Sequence, residues 1–367
     1  MKESVLLLPL STTPLFPQKA ISSANRKYIP TGRRFSQVRT KSGCPLQNSK
    51  EVTNMKAAQI NKYGGSEVVR INNNAPKPAV SRGKILVEVY AAGVNPVDWK
   101  IRQGYMQEMA PLEFPANLGG DFSGIVAEIG DGVSGFKKGG EVYGYASVLS
   151  GASGSFAEFT SADAKATARK PKNLNHVEAA ALPLTGASAW QALVDHIGIS
   201  RGKKILIHGG AGGIGTVAIQ LAKHIGAYVA ATASARDLKH VKELGADEAL
   251  DYKNQPFEDM LHDYDAVFDT VGGETYERSF KVLRKGGIIV SMLEQPRQEL
   301  MERYGVKAIG QFTQVNSERL SGVAELAEKR VIKVHVDRTF PLEQAAEALV
   351  YLQTGHPRGK VVLKIKT

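Results

Sequence analysis

A glycine-rich turn between two apolar segments is the part of this chain whose spacing most directly indicates chemistry. Residues 204–207 have the pattern of a buried strand, and glycines with the spacing G-x-G-x-x-G follow them. Such a turn brings backbone N–H groups and a helix N-terminus close to a bound anion. A strand precedes the turn and an amphipathic helix follows it, so the motif predicts a dinucleotide pyrophosphate site. The residues predicted to contact the cofactor there are Gly210, Gly212, Gly213, Ile214 and Gly215.

The segment after the next strand indicates whether the dinucleotide is NAD(H) or NADP(H). The helix stops at Gly226, the strand pattern covers 228–232, and Ser234 and Arg236 follow it with no acid at the strand tip. A guanidinium and a hydroxyl bind a 2′-phosphate, whereas a carboxylate repels it. The sequence therefore favours NADP(H) over NAD(H), although Ser234 also suits the N-cap of the following helix. Asp237 is interpreted as a first-turn residue of that helix, facing its dipole.

The elements that position these residues alternate in type along the second part of the chain. Helices are predicted over about 178–192, and strands then alternate with helices as far as about residue 315. This alternation is typical of a doubly wound parallel sheet, a Rossmann-type α/β domain. Its predicted strands are 204–208, 228–232, 247–251, 265–269 and 286–292.

The residues before and after this domain have a β-rich pattern. From Met55 onward, short strand patterns are separated by many Gly and Pro residues, which suits a partly barrel-like domain. Further strands are predicted over 331–336 and 360–365, with a helix over 342–352 between them, and we expect these strands to rejoin the first domain. The remaining strand predictions are 55–60, 84–90, 122–129, 139–144 and 154–159.

Composition narrows the classes of protein that need to be considered. The chain has 367 residues, of which 43% are apolar and 23% charged, as in globular proteins with proper cores. No apolar run reaches the length of a membrane-spanning helix. The single cysteine, Cys44, excludes an internal disulfide framework and a cysteine-based metal site.

The first 54 residues differ from the rest and carry most of the net charge. They hold nine Lys and Arg and two acidic residues, which is +7 of the total of +11, so the remainder is only mildly basic. We therefore expect no nucleic-acid partner. One interpretation of this segment is a transit peptide to a plastid or mitochondrion. The other interpretation is that translation starts at Met55, which would give a cytoplasmic protein. In both cases residues 1–54 are left out of the predicted fold.

Taken in order, several segments resemble the zinc-independent medium-chain dehydrogenases/reductases. The resemblance covers Met55 to Thr367 and is nearest to the NADPH:quinone oxidoreductases and the alkenal/enone double-bond reductases. It implies a GroES-like catalytic domain over 55–180 and 320–367, and an NADP-binding Rossmann domain over 181–319. The segments that carry it are AAGVNPVDWKIR (91–102), GGDFSGIV (119–126), LPLTG (182–186), AGGIG (211–215), LGAD (244–247), FDTVGG (268–273) and GKVV (359–362).

Departures from the zinc-dependent branch of this family indicate chemistry without a metal. That branch has a cysteine ligand where this chain has Asn95, and a histidine ligand where it has Gly120. No histidine pair has metal-ligand spacing, and we predict no metal site. Without a Lewis acid, hydride transfer requires an acceptor that is already electrophilic, such as a quinone or an α,β-unsaturated carbonyl.

The resemblance also implies roles for individual residues. Asn95 would donate to a substrate oxygen or orient the nicotinamide, Lys100 would contact NADP(H) and act in catalysis, and Tyr105 would line the substrate pocket. The further residues implied at the cofactor are Thr185 and Lys360 near the nicotinamide, and Tyr252 beside the adenosine 2′-phosphate.

The sequence thus predicts an NADPH-dependent oxidoreductase of quinones or enones, and the resemblance suggests a homodimer formed through cofactor-domain edges. The alternative is a non-catalytic NADPH-binding protein with a structural or RNA-binding role, which the basic residues 1–54 would support. A partner at an anionic membrane surface is a third hypothesis, but the basic segment lacks an amphipathic helix pattern.

Overall fold

The computed structural model describes residues 54–366. The predicted extension over residues 1–54 lies outside the described residues, except for Asn54, which begins the first strand. The strands are β1 (Asn54–Ile60), β2 (Val69–Pro76), β3 (Lys84–Val94), β4 (Ala116–Asn117), β5 (Asp121–Ile129), β6 (Glu141–Tyr145), β7 (Phe159–Asp163), β8 (Thr167–Arg169), β9 (Lys204–Ile207), β10 (Tyr228–Ala233), β11 (Glu248–Asp251), β12 (Tyr264–Asp269), β13 (Leu283–Ser291), β14 (Lys307–Gly310), β15 (Val336–Pro341) and β16 (Lys360–Lys364).

Helices connect and cover these strands. A π-helical turn, Gln191–His196, continues the third of them, and short 3₁₀ turns flank several others. The helices are α1 (Pro96–Arg102), α2 (His176–Ala180), α3 (Pro183–Trp190), α4 (Gly213–Ile225), α5 (Leu238–Glu243), α6 (Phe257–Met260), α7 (Glu274–Ser279), α8 (Gln298–Tyr304), α9 (Ser317–Glu328) and α10 (Ala345–Thr354).

Six parallel strands form the sheet of the predicted Rossmann domain. Their order is β11-β10-β9-β12-β13-β14, and each neighbouring pair is parallel. The helix α4 follows the glycine turn and ends where Gly226, at φ 97°, adopts the left-handed conformation. Gly226 accepts this conformation without the steric cost that a Cβ would add. The predicted doubly wound fold class is confirmed.

The second large sheet is mostly antiparallel and combines strands that precede the parallel sheet in the chain with strands that follow it. Its order is β15-β16-β3-β5-β6-β8, with β7 also paired to β3, and only β15 and β16 are parallel to each other. A small sheet, β2-β1-β4, packs beside it. The strand β16 pairs with β3, as expected for a C-terminal segment that rejoins the first domain.

Two of the strand predictions were wrong in position. The strand expected over 331–336 begins only at Val336, because Lys333 instead donates its backbone N–H to the Gln220 side chain of α4. The strand expected over 154–159 begins at Phe159, and Gly154 adopts a φ of 78° that a regular strand does not allow.

The described residues, 54–366, fall within one compact unit, so the domain boundaries at 180/181 and 319/320 stay predictions. The membership of the strands is consistent with them, because β9 to β14 form one sheet and the remaining strands form the other two. Among the described residues, no helix is both long and apolar enough to cross a bilayer.

Candidate functional site

The glycine turn between β9 and α4 is as tight as its sequence predicts. A Cβ at Gly215 would lie 2.2 Å from the Gly209 carbonyl oxygen, so only glycine permits the helix to start this close to the strand. The helix begins at Gly213, and no side chain caps it at Gly212. Its first N–H groups therefore lack a side-chain acceptor, which is the arrangement that binds an anion at a helix N-terminus.

The residue before this turn holds β9 to its neighbours. His208 is buried, and its two ring nitrogens form hydrogen bonds with the hydroxyls of Thr232 (3.0 Å) and Ser279 (2.9 Å). Burial lowers the pKa of His208 to about 4, so the ring is neutral at physiological pH. His208 therefore acts as a packed, hydrogen-bonded residue that fixes the base of the turn.

The turn is joined directly to the beginning of β16. Gly359 donates its N–H to the Ala211 carbonyl at 2.8 Å, which ties the turn to the antiparallel sheet. Gly213 lies against the side chains of Thr185 and Lys360, because a Cβ at this position would be 3.2 Å from the first and 2.9 Å from the second. The structure thus brings two of the predicted nicotinamide-side residues to the glycine turn.

A buried polar cluster lies beside this junction and contains Asn95. The Asn95 amide donates to Asp121 at 2.9 Å and accepts from the Lys360 ammonium, which also donates to the Val94 carbonyl at 3.0 Å and lies 3.5 Å from Asp121. Asp98 accepts from the Asn95 backbone N–H at 2.7 Å. We call Asn95, Asp98, Asp121 and Lys360 the Lys360 cluster.

Burial perturbs every titratable member of the Lys360 cluster. Loss of solvation raises the pKa of Asp98 to about 7, against a hydrogen bond from Asn95 that lowers it. Burial also raises the pKa of Asp121, while the nearby Lys360 charge opposes this change. The pKa of Lys360 is lowered by burial and partly restored by the two carboxylates. The cluster therefore combines one cation with two buried carboxyl groups, and the Lys360 charge favours the ionised form of Asp121.

The Lys360 side chain contributes its ammonium and its stem to different neighbours. The residue is only 5% exposed, and its ammonium is directed to three acceptors of the protein itself. The prediction that Lys360 contacts the cofactor stays a prediction; in this structure the ammonium is paired within the cluster. Only the side-chain stem, next to Gly213, lies beside the turn.

The other predicted catalytic residues lie on and after α1. Lys100 is half-buried, burial lowers its pKa, and its ammonium is 5.7 Å from the centre of the Trp99 ring. Tyr105 is 67% exposed and packs edge-on against the same tryptophan. No contact joins either residue to the Lys360 cluster in the described part of the chain, so their roles stay predictions.

A second polar group forms at the predicted adenosine end of the site. The Asp237 carboxylate accepts hydrogen bonds from Ser234 (2.7 Å), Arg236 (3.2 Å) and Arg358 (2.8 Å). Burial alone would raise the pKa of Asp237, but these donors hold it below its ordinary value, so the group is charged. Asp237 lies in the first turn of its helical segment, as expected, and Ser234 occupies the N-cap position, but the Ser234 hydroxyl donates to Asp237 and accepts no backbone N–H.

Arg358 was not found from the sequence. It lies 121 residues from Asp237 and reaches it only because β16 begins beside the glycine turn. Tyr252 follows β11, donates its N–H to the Ala233 carbonyl at the end of β10, and is 51% exposed. Its contact with an adenosine 2′-phosphate stays a prediction.

The chain matches two domain models. The alcohol dehydrogenase GroES-like domain matches residues 81–172, and the domain described as zinc-binding dehydrogenase matches residues 244–363. The chain is 38% identical over 318 residues to 2-methylene-furan-3-one reductase from Solanum lycopersicum, covering 84% of this chain and 79% of the relative. The chain belongs to the medium-chain dehydrogenases/reductases.

Further matches place this medium-chain reductase in the quinone and alkenal/one oxidoreductase group. NADPH-dependent alkenal/one oxidoreductase, chloroplastic, from Arabidopsis thaliana shows the same identity and coverage. The solved quinone oxidoreductase from Coxiella burnetii is 33% identical, with a TM-score of 0.76 over 85% of this chain and 99% of that chain. The predicted family and enzyme class are confirmed.

Proposed function

We propose that this medium-chain reductase transfers hydride from NADPH to a quinone or to the double bond of an α,β-unsaturated carbonyl, without a metal ion. The observation that carries the proposal is the junction of an uncapped glycine turn with a buried polar cluster that contains a fixed ammonium. The names of the relatives support the same class of acceptor.

The residues at both ends of the cofactor site fit NADP(H). The free N–H groups at the start of α4 suit a pyrophosphate, and bound NADPH would supply the hydride at its nicotinamide ring. At the adenosine end, Arg236 and Arg358 carry two positive charges against the single negative charge of Asp237. The net positive charge favours a 2′-phosphate over a hydroxyl.

The same residues do not fit a catalytic zinc ion. Asn95 and Gly120 stand where the resemblance places a cysteine and a histidine ligand. The Asp121 carboxylate beside them is already paired with the Lys360 ammonium. Within residues 54–366, no three His, Cys, Asp or Glu side chains converge as metal ligands would. The proposed hydride transfer therefore involves no metal ion.

Within this proposal, Asn95 is oriented to donate one hydrogen bond to the substrate or to the nicotinamide. Its amide oxygen accepts from Lys360, and one of its two amide hydrogens is donated to Asp121. An asparagine amide has two N–H donors, so one remains for a substrate oxygen or for the nicotinamide amide. The Lys360 cluster fixes the orientation of this remaining donor, which lowers the reorganisation needed during reaction.

NADPH oxidation by the purified full chain tests the proposal. We would follow NADPH absorbance with 9,10-phenanthrenequinone, a panel of other quinones and a short-chain enone, with NADH in parallel. Turnover with NADPH is expected, and the preferred acceptor would separate a quinone reductase from an enone reductase. NADPH binding without turnover on the whole panel would instead favour the non-catalytic alternative.

A pair of arginine variants tests the cofactor preference separately. Arg358→Met removes one donor of the adenosine end, and a charged hydrogen bond contributes about 1.5–3 kcal/mol, so NADPH affinity should fall about 10- to 100-fold. NADH affinity should change little. Arg338→Met is the matched control, since Arg338 lies on β15 and stacks on Tyr351. Equal affinity of Arg358→Met and wild type for NADPH would contradict the assignment.

We also propose a homodimer and a cytoplasmic location, with an organelle as the alternative if residues 1–54 are a transit peptide. The strand β14 ends the six-stranded sheet with an unpaired edge among the described residues, which suits pairing with a second copy. Light scattering would distinguish one chain from two. Fluorescent fusions of the full chain and of a chain beginning at Met55 would show whether the first 54 residues direct import.

A further inference from the structure

Tyr145 ends β6 directly opposite Asp121, a member of the Lys360 cluster. The two residues are paired across the antiparallel strands β5 and β6. Directly opposed residues in such a pair project from the same face of the sheet, about 5 Å apart. The Tyr145 side chain therefore lies next to the cluster, although the sequence analysis assigned this tyrosine no role.

The absence of a side chain at Gly120 makes room for the Tyr145 ring. A Cβ at Gly120 would lie only 2.3 Å from Cε2 of Tyr145, so the ring fills the volume next to this glycine. The resemblance places a side chain of the catalytic centre at position 120. The tyrosine ring thus occupies volume that the histidine ligand of the zinc-dependent branch would need.

The neighbouring tyrosine on the same face has a different environment. Tyr143 is fully buried, and its hydroxyl donates to the Leu320 carbonyl of α9. Tyr145 is half-buried, and within residues 54–366 its hydroxyl donates to no backbone carbonyl. The two residues therefore form a natural comparison: the Tyr143 hydroxyl donates to the backbone, whereas the Tyr145 hydroxyl contacts the Ser147 side chain.

The charges around Tyr145 keep its hydroxyl protonated. Burial raises its pKa well above the ordinary value, and the nearby carboxylates of Asp98 and Asp121 raise it further, while a contact with the Ser147 hydroxyl acts in the opposite direction. A phenol with a raised pKa is a hydrogen-bond donor throughout the neutral range, and it resists giving up its proton completely.

We propose that the Tyr145 hydroxyl donates a hydrogen bond to the carbonyl or quinone oxygen of the acceptor; this rests on the proposed function. When hydride adds to the β-carbon of an enone, the π electrons of the double bond move toward the carbonyl oxygen, which becomes negatively charged. Tyr145 stabilises this charge and keeps its own proton, and water supplies the proton that completes the saturated product. The same contact serves a quinone oxygen.

The test compares Tyr145→Phe with Tyr143→Phe in the full chain, using NADPH and the best acceptor of the wild type. Removing one donor to a developing oxyanion lowers kcat about 10²-fold or more. We therefore expect a fall in kcat of at least about tenfold for Tyr145→Phe, with the NADPH dissociation constant, measured by fluorescence titration, unchanged within about twofold. Tyr143→Phe should keep its kcat, because only a structural bond to Leu320 is lost.

Two results would overturn the proposal. A Tyr145→Phe enzyme with kcat within twofold of the wild type would show that the hydroxyl does not act on the acceptor. A matching loss of NADPH affinity would show that Tyr145 holds the cofactor instead. Tyr145→His, which keeps a ring N–H donor, is expected to retain more activity than Tyr145→Phe, and equal loss in both variants would also count against the proposal. A wild type that binds NADPH without any turnover would refute the proposed function itself.

Discussion

Replacing Lys360 by methionine would remove the one cation of the Lys360 cluster while keeping the side-chain stem against Gly213. The ammonium contacts Val94, Asn95 and Asp121, and the Asp121 carboxylate is completely buried. Removing one partner of a buried ion pair costs about 3–5 kcal/mol, because the other charge stays buried without compensation. For Lys360→Met we expect the free energy of unfolding to fall by about 3 kcal/mol.

The lower end of this range applies because Asp121 keeps two donors. The Leu184 backbone N–H and the Asn95 amide each lie 2.9 Å from its carboxylate. The double variant Lys360→Met with Asp121→Asn removes both charges and should recover about 2 kcal/mol, since a neutral amide is less costly to bury than an unpaired carboxylate. Urea unfolding of the full-length wild type, Lys360→Met, Asp121→Asn and the double variant, each with and without NADPH, would give these free energies.

The pH dependence of Lys360→Met provides a second check. Burial already raises the pKa of Asp121, and loss of the cation should raise it further. A carboxyl whose folded-state pKa lies above its unfolded value favours folding at low pH, and this advantage is lost as pH rises through the folded pKa. Lys360→Met should therefore be less destabilised at pH 5 than at pH 8. A loss below about 1 kcal/mol at both pH values would refute the ion-pair reasoning.

Three further outcomes follow from buried groups and close contacts. Asp98→Asn removes a carboxyl whose raised pKa, about 7, makes wild-type stability fall as pH rises from about 4 to 7; urea unfolding of the variant should show a flatter profile there. Gly215→Ala would place a Cβ 2.2 Å from the Gly209 carbonyl oxygen and should lower the free energy of unfolding, measured by thermal denaturation, by about 1–3 kcal/mol. Gly212→Ala would place its Cβ 3.3 Å from the same oxygen, so it should keep the fold but bind NADPH less tightly in fluorescence titration. Arg102→Met should leave the urea midpoint unchanged or raise it, because Nε and Nη1 of the buried Arg102 have no hydrogen-bond partner within residues 54–366.

Local patterns were enough to predict the cofactor half of the fold. The strand before the glycine turn, the apolar face of α4 and the stop at Gly226 are all encoded within about 25 consecutive residues, and the structure has each of them where expected. Such features depend on periodicity and on glycine geometry, which a single segment determines by itself. The misplaced strand at 331–336 failed because its backbone is satisfied by Gln220, a contact across 113 residues.

The candidate site was harder to predict because its charges are paired over long separations. The neighbours of Asp237 indicated a first-turn helix residue, but not its ion pair with Arg358, 121 residues away. The resemblance placed Lys360 near the nicotinamide, but did not indicate its acceptors, which lie 239 and 265 residues earlier in the chain. Spacing within a motif carries no information about such partners.

The position of β16 explains why the same few residues serve both halves of the molecule. This strand pairs with β3 in the antiparallel sheet, while Gly359 just before it is hydrogen-bonded to the glycine turn. Lys360, the next residue, therefore reaches Asn95, which follows β3, and Asp121, which begins β5, while its stem covers Gly213. Any displacement of the turn would strain a buried ion pair, so the cofactor turn and the residues proposed to act on the acceptor are held in one fixed arrangement.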